Sequence, residues 1–314
     1  MYALSIQHLH KVYPSGTVAL NQISLTVSPG DFFALLGPNG AGKSTLIGIL
    51  SSLVRKTAGQ VHIFGHNLET APQLAKSCIG LVPQEINFSI FEKVIDVLLY
   101  QAGYYGISIK LARQRAEHYL KKLDLWDKRN QICMHLSGGM KRRLMIARAF
   151  MHAPKLLILD EPTAGVDIEV RRTIWDFLKA INQAGTTVIL TTHYLEEAEQ
   201  LCQNIAIINQ GILVKHTTMQ QLLGQLQVET FVFDLVQPLH QLPEGSPFTL
   251  HLPDPYHLEV DVTRTQKINE LLAFFQQHGI EASSMRNKTN RLEALFLHLT
   301  TDKSAVSQTV YVDR

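Results

Sequence analysis

The chain carries Gly37–Pro38–Asn39–Gly40–Ala41–Gly42–Lys43–Ser44, which fits the spacing G-x-x-x-x-G-K-[ST]. A backbone that wraps a polyphosphate must turn several N–H groups inward, and glycine leaves room for that path. A helix beginning at about Lys43 would aim the positive end of its dipole at the phosphates. Lys43 adds a point charge at the β and γ phosphates, and the Ser44 hydroxyl can ligate Mg²⁺. Thr45 completes the set of expected nucleotide contacts in this loop. At average composition a chance match in a chain of this length is on the order of one in a hundred. A phosphate loop of this kind needs a second, acidic element. Leu156–Leu157–Ile158–Leu159–Asp160–Glu161 supplies it. A buried strand there would deliver Asp160 beside the loop to hold Mg²⁺ through water. Glu161, one residue on, would polarise a water in line with the γ-phosphate.

These groups need strands and helices to hold them. Phe32–Leu36, Ile79–Val82, Leu156–Leu159 and Thr187–Leu190 are short, bounded apolar runs, the pattern of buried parallel strands. From about residue 88 to 150 the pattern turns helical. In Lys110–Leu123, the residues Ala112, Ala116, Tyr119, Leu120 and Leu123 recur at three- and four-residue spacing against a charged face. The first 224 residues therefore read as an α/β domain with a mainly parallel sheet and a helical insertion.

Leu136–Ser137–Gly138–Gly139–Met140, ending 21 residues before Glu161, resembles the LSGGQ signature of the ATP-binding-cassette (ABC) ATPases. The other elements of that family stand in order. Gln84, in Gly80–Leu81–Val82–Pro83–Gln84, resembles the Q-loop glutamine. Ala164–Gly165–Val166–Asp167 resembles the D-loop, and His193 the switch histidine. Tyr13, 24 residues before Gly37, resembles the aromatic that stacks on adenine. The resemblance spans about residues 3–224. It implies ATP and Mg²⁺ as ligands, with Ser44, Gln84 and Asp160 at the metal and Glu161, His193 and Gln84 as the catalytic groups. It also implies a head-to-tail homodimer, in which Ser137 and the N–H groups of Gly138 and Gly139 cover the partner's ATP. Met140 replaces the usual glutamine and is expected to face away from the phosphates. The stretch Arg291–Thr300 resembles the C-terminal element of the ATPase subunits of ABC-2-type exporters. That likeness implies a separate integral membrane permease, docked from the cytoplasmic side of the membrane in a groove between the Gln84 loop and the helical insertion. A soluble ABC ATPase acting on ribosomes or DNA is the alternative. Such relatives usually carry two cassettes or a long coiled coil, and no sustained heptads occur here.

The 314 residues are 46% hydrophobic and 18% charged, with a net charge of +2, enough apolar content for a core and too little charge to point to nucleic acid. No apolar stretch approaches the roughly 20 residues of a spanning helix. The N-terminus lacks the pattern of a secretory signal. Cys78, Cys133 and Cys202 match no zinc or disulfide spacing and suit a reducing cytosol. Residues 1–224 carry 22 Lys+Arg and 16 Asp+Glu, whereas residues 225–314 carry 7 and 11. The pattern also becomes two-periodic there, so a domain boundary is expected at Gly224 and a small α+β module, ferredoxin-like in outline, over 225–314. In it, residues 230–235, 258–262 and 280–285 read as strands and 292–299 as a last helix. Ile268–His278 reads as a helix burying Ile268, Leu271, Leu272 and Phe275, and Pro238–Pro255 as a loop. Lys141–Arg142–Arg143 is expected to be a solvated helix start, and Tyr104 and Tyr105 to pack within the helical insertion.

Overall fold

The computed structural model describes residues 1–288 apart from Gln227 and Glu244, together with Leu292, Glu293, Leu295, Phe296 and Leu299. The expected last helix and the 291–300 stretch fall largely outside the described residues. The chain divides into a unit built on Met1–Thr218 and a second that begins at Met219. The division precedes Gly224 because Leu223, Gly224 and Leu226 line a cavity with Phe231 and Val262 of the second unit.

The first unit opens with β1 (Leu4–Val12), β2 (Val18–Val27) and β3 (Phe32–Leu36). The helix α1 (Lys43–Leu50), β4 (Ala58–Ile63), β5 (His66–Asn67), α2 (Pro72–Ser77) and β6 (Ile79–Val82) follow. Next come three helices, α3 (Val94–Tyr104), α4 (Ile109–Lys122) and α5 (Gly138–Ala149). The unit ends with β7 (Leu156–Asp160), α6 (Ile168–Gln183), β8 (Thr187–Thr191), α7 (Leu195–Leu201), β9 (Asn204–Asn209) and β10 (Ile212–Thr218).

The central sheet has the order β10-β9-β3-β8-β7-β6. It is parallel from β9 to β6, with β10 antiparallel at its edge. Its inner strands are the continuous apolar runs; all five residues of β3 and of β8 are buried, as both-face burial requires. A second, antiparallel sheet, β2-β1-β4-β5, was not anticipated from sequence. Register shifts in β1 after Ile6 and after Leu9 break the alternation that would have announced it. Leu4, Ile6, Leu20 and Val61 of this sheet share one core with Leu46 and Ile49 of α1 and with Phe33, Ile158 and Ile208 of the central sheet.

Two expectations for the helical segment are corrected. Arg142 and Arg143 are each only 8% exposed. Their guanidinium groups find backbone carbonyls inside: Arg143 Nη1 donates to Leu123 O at 2.8 Å, and Arg142 to the Gln84 loop. Such partners offset part of the desolvation penalty of a buried cation. Tyr104 does not pack; it is 87% exposed, and Tyr105 stacks face to face on His152.

The second unit comprises α8 (Met219–Leu223), β11 (Val228–Leu235), β12 (Thr249–Asp254), β13 (His257–Thr263), α9 (Ile268–Gln277) and β14 (Ala282–Asn287). Its sheet, β12-β13-β11-β14, is antiparallel throughout. This is the strand order of a ferredoxin-like module whose first helix is replaced by a loop. The proline-rich stretch supplies that loop and, against expectation, also β12. The buried face of α9 is Leu271, Phe274 and Phe275, packed on Phe231, Phe233 and Val260. Ile268 and Leu272 remain 39% and 49% exposed, because the apolar stripe starts one turn later than the spacing suggests.

Candidate active site

Four neighbouring strands of the central sheet run β3-β8-β7-β6, and each ends at one motif. Gly37 follows β3, His193 lies just past β8, Asp160 ends β7 with Glu161 directly after it, and Gln84 lies just past β6. Residues far apart in sequence therefore meet at the carboxyl edge of a parallel sheet, where open α/β folds place their ligands.

The loop from Gly37 to Ser44 is shaped by the protein itself as much as by any ligand. A Cβ on Gly37 would lie 2.2 Å from Ile208 O. Gly42 has φ +108°, and a Cβ there would lie 2.5 Å from Ala19 O. The turn at Gly211 braces the loop: its N–H donates to Ala41 O at 2.9 Å, and its carbonyl accepts from Asn21 N at 2.7 Å. α1 starts at Lys43, as expected. The Lys43 ammonium turns back on its own loop, donating to Gly37 O at 2.6 Å and Pro38 O at 3.0 Å. Burial lowers its pKa, and the nearby Glu161 and Asp160 charges oppose that shift.

A cavity of about 420 Å³ opens over this loop. Asn39, Gly40, Gly42, Lys43, Ser44, Thr45, Gln84, Glu161 and His193 line it, all expected from sequence. Thr17, Val18 and Ala19 line it too and carried no sequence signal. Glu161 is the centre of its polar wall. The residue is 8% exposed and takes φ 51°, a conformation L side chains rarely adopt. Its N–H donates to Thr191 O at 3.0 Å. Gln84 Nε2 donates to Glu161 Oε2 at 2.9 Å, and His193 Nε2 meets Glu161 Oε1 at 2.5 Å. Asp160 accepts from Thr191 Oγ1 at 2.5 Å, which ties the ends of β7 and β8 together.

Ser44, Asp160 and Gln84 offer a hydroxyl, a carboxylate and an amide oxygen, the hard donors Mg²⁺ takes. Among the described residues no group of three or more His, Cys, Asp or Glu could hold a metal. The set suits a cation that draws its remaining ligands from phosphate and water.

Tyr13 is half-buried at a turn; its hydroxyl lies 3.3 Å from Thr45 Oγ1, and Lys11 Nζ sits 4.7 Å from its ring centroid. Ser137 caps α5, accepting from Met140 N at 3.2 Å, so the helix opens at Gly138 rather than at Met140. Leu136 is buried while Ser137 and Gly138 are exposed. Gly139 packs on Val170, where an added Cβ would come within 3.2 Å. Asp167 caps α6, accepting from Val170 N at 2.8 Å. Arg142 was missed as a positioning group. It donates to Pro83 O at 2.8 Å and to Gln84 O at 2.7 Å, and so grips the backbone of the Gln84 loop.

The ABC transporter domain family matches residues 20–164. The linearmycin resistance ATP-binding protein LnrL of Bacillus subtilis is 35% identical over 308 residues, 95% of this chain and 98% of that protein. The daunorubicin/doxorubicin resistance ATP-binding protein DrrA of Streptomyces peucetius is 33% identical over 95% of this chain and 92% of its own length. The Nod factor export ATP-binding protein I of Rhizobium etli is 35% identical over 83% and 86%. Among solved structures, the ATP-binding cassette MJ0796, a post-hydrolysis dimer bound to ADP and Pi, aligns with a TM-score of 0.63 at 28% identity. It covers 69% of this chain and 98% of that one. Likeness of this breadth makes the chain an ATP-binding, ATP-hydrolysing subunit of the ABC transporter family.

Proposed function

We propose that two copies of this chain energise export through a separate ABC-2-type membrane permease, working from its cytoplasmic face. The single observation that carries the hydrolytic half of this reading is the Glu161 carboxylate, held between Gln84 and His193 at the rim of the phosphate loop.

ATP lies along the cavity with its base against Tyr13 and its triphosphate on the N–H groups from Gly37 to Thr45 and the start of α1. Lys43 leaves the carbonyls of Gly37 and Pro38 to meet the β and γ phosphates. Ser44, Asp160 and Gln84 would hold Mg²⁺, which would supply charge neutralisation at the phosphates when bound. Glu161 accepts the proton of the attacking water, and His193 and Gln84 fix that carboxylate in place. Each copy exposes one side of the triphosphate. The capped start of α5, with Ser137 and Gly138 open to solvent, covers that side on the opposite copy. Asp167 stands at the head of α6 beside this contact.

The transport half rests on the relatives, whose names speak of linearmycin and daunorubicin resistance and of Nod factor export. No helix among the described residues is long and apolar enough to cross a membrane, so the span comes from another chain in this reading. A groove of about 450 Å³ bordered by Leu53, Asn87, Tyr104, Tyr105 and Arg148 lies between the Gln84 loop and α3, and offers a seat for permease helices. Alternating closure of the two copies then shifts the permease between its states.

The test is affinity purification of tagged Glu161→Gln from detergent-solubilised membranes with ATP and Mg²⁺. This variant should bind ATP and turn it over about 10²–10³-fold more slowly. Recovery of a polytopic membrane protein, abolished by Lys43→Ala, is the expected result. Recovery of ribosomes or DNA-bound proteins instead would overturn the exporter reading and leave the ATPase intact.

A further inference from the structure

Behind the Glu161 carboxylate sits a second glutamate that no motif singles out. Glu197 on α7 is fully buried. Its Oε1 accepts two hydrogen bonds, from Thr163 Oγ1 at 3.0 Å and from Trp175 Nε1 at 2.8 Å. Thr163 lies two residues past Glu161, in the loop that leads to Asp167. Trp175 lies on α6, the helix that Asp167 caps. α7 begins two residues after His193. One carboxylate oxygen therefore joins the segment carrying Glu161, the segment carrying Asp167 and the segment carrying His193.

The neighbouring contacts run the same way. The Arg171 guanidinium of α6 lies 4.5 Å from the centroid of the Tyr194 ring, the residue directly after His193. Tyr194 N–H donates to Thr192 Oγ1 at 3.0 Å, on the other side of His193. Burial raises the Glu197 carboxyl above its ordinary range, against the hydrogen bonds from Trp175 and Thr163 and the charge of Arg171, and its second oxygen, Oε2, is buried with no hydrogen-bond partner among the described residues. An apolar residue would fill this place without that penalty if packing were its only task.

We infer that Glu197 is a positioning residue for ATP hydrolysis, whose Oε1 fixes the Thr163 loop and α6 against α7 and thereby sets where Glu161 and His193 meet. The inference rests on the reading of Glu161 and His193 as hydrolytic groups. The contact between them joins the loop after β7 to the loop after β8. Both loops lead into elements that end on Glu197, so releasing it lets the two side chains drift apart. Misplacement of a catalytic group by about 1 Å can cost about 10²-fold in rate.

The test uses the purified full-length chain and follows kcat, KM for ATP and thermal unfolding. His193→Ala must first lower kcat; if it does not, the hydrolytic reading itself falls. Given that loss, Glu197→Ala should lower kcat by up to about 10²-fold with KM unchanged. Glu197→Gln, which keeps the accepting oxygen, should restore most of the rate. In the His193→Ala background Glu197→Ala should cost little further, because both act on one geometry. Thr163→Val removes one donor from Oε1 and serves in the same design should Glu197→Ala fail to fold. Equal losses in both backgrounds, a parallel rise in KM, or a folded Glu197→Gln as slow as the alanine variant would overturn the inference while leaving the roles of Glu161 and His193 standing.

Discussion

Arg142 Nη2 donates to the carbonyl oxygen of Gln84 at 2.7 Å, while the Gln84 side chain donates to Glu161 at 2.9 Å. A residue of the helix that Ser137 caps therefore holds the backbone of the residue that holds the hydrolytic carboxylate. The second arm of the same guanidinium reaches Pro83 O. Burial lowers the pKa of Arg142, and the charges of Asp160 and Glu161 offset that shift. The arrangement explains why a run of three cations does not mark a solvated surface.

Arg142→Met should lower stability by about 1.5–3 kcal/mol, the usual range for hydrogen bonds to a charged group. It leaves two carbonyls without their donor. Arg142→Lys should recover only part of this, since an ammonium on a flexible stem cannot span two carbonyls as a planar fork does. Urea unfolding of the three proteins measures it. A shift in midpoint with an unchanged slope is the expected outcome. Equal midpoints for wild type and Arg142→Met would show the two bonds to contribute nothing.

The glycines of the two phosphate-facing motifs should respond in opposite ways. Gly37→Ala drives a Cβ to within 2.2 Å of Ile208 O, a backbone atom that cannot step aside. The variant should be severely destabilised before any ligand is added. A Cβ on Gly138 meets nothing within 4 Å, and the residue is the first of α5. Gly138→Ala should melt at or slightly above the wild-type temperature, as helix propensity favours alanine by up to about 1 kcal/mol in a helix interior and by less at the first residue. Its ATPase activity should nonetheless fall, because the added methyl stands where the partner's triphosphate approaches. Full activity in Gly138→Ala would remove the signature from the proposed dimer contact.

The parts of the fold that could be read from sequence are those buried on both faces. Phe32–Leu36, Leu156–Leu159 and Thr187–Leu190 are inner strands and Ile79–Val82 is the strand at one edge, all four short bounded apolar runs with the motifs at their ends. β1 could not be read in the same way, because its register shifts scatter the apolar residues. Thr17, Val18 and Ala19 line the cavity through their place at and just before the start of β2, and nothing in their types announces it. Glu197 and Arg142 were invisible for a different reason. A buried charge is recognisable only by its partners, and theirs lie between 22 and 59 positions away in the chain. In α9 the helix itself was legible from the spacing of apolar residues. Which of them faced inward depended on β11 and β13 across the core, and so on tertiary packing.

Tyr13 should contribute to nucleotide affinity through its ring rather than its hydroxyl. Lys11 already occupies the space over the ring at 4.7 Å, so the base stacks on the face that remains. Base–aromatic stacking is worth about 1–3 kcal/mol by alanine substitution. Tyr13→Ala should therefore raise the Kd for ATP by about 5- to 150-fold. Tyr13→Phe loses only the 3.3 Å contact with Thr45 and should bind nearly as well as wild type. Titration of a fluorescent ATP analogue separates the two. GTP should suffer the same loss, since stacking does not read base edges. An equal weakening in the phenylalanine variant would assign the effect to the hydroxyl instead.

His152 gives the first unit an acid-sensitive point. Its ring stacks on Tyr105 with centroids 3.8 Å apart and planes 2° from parallel, and its Nε2 lies 2.8 Å from Ile79 O. Nδ1 is buried with no hydrogen-bond partner among the described residues. Protonation would place an N–H there with no acceptor. Burial accordingly lowers the pKa from its ordinary 6.5; the Ile79 carbonyl opposes this and the Arg115 charge adds to it. The unfolded chain thus takes up this proton at a higher pH than the folded one. The stability that neutral His152 contributes is present above pH 6.5 and is lost as the pH falls through that value toward the folded pKa. His152→Gln keeps a donor for Ile79 O and has nothing to titrate. Its urea midpoint should change less than that of wild type between about pH 7.5 and pH 5.5. Matching slopes of stability against pH in the two proteins would show that His152 titrates alike folded and unfolded, and would place any acid sensitivity elsewhere.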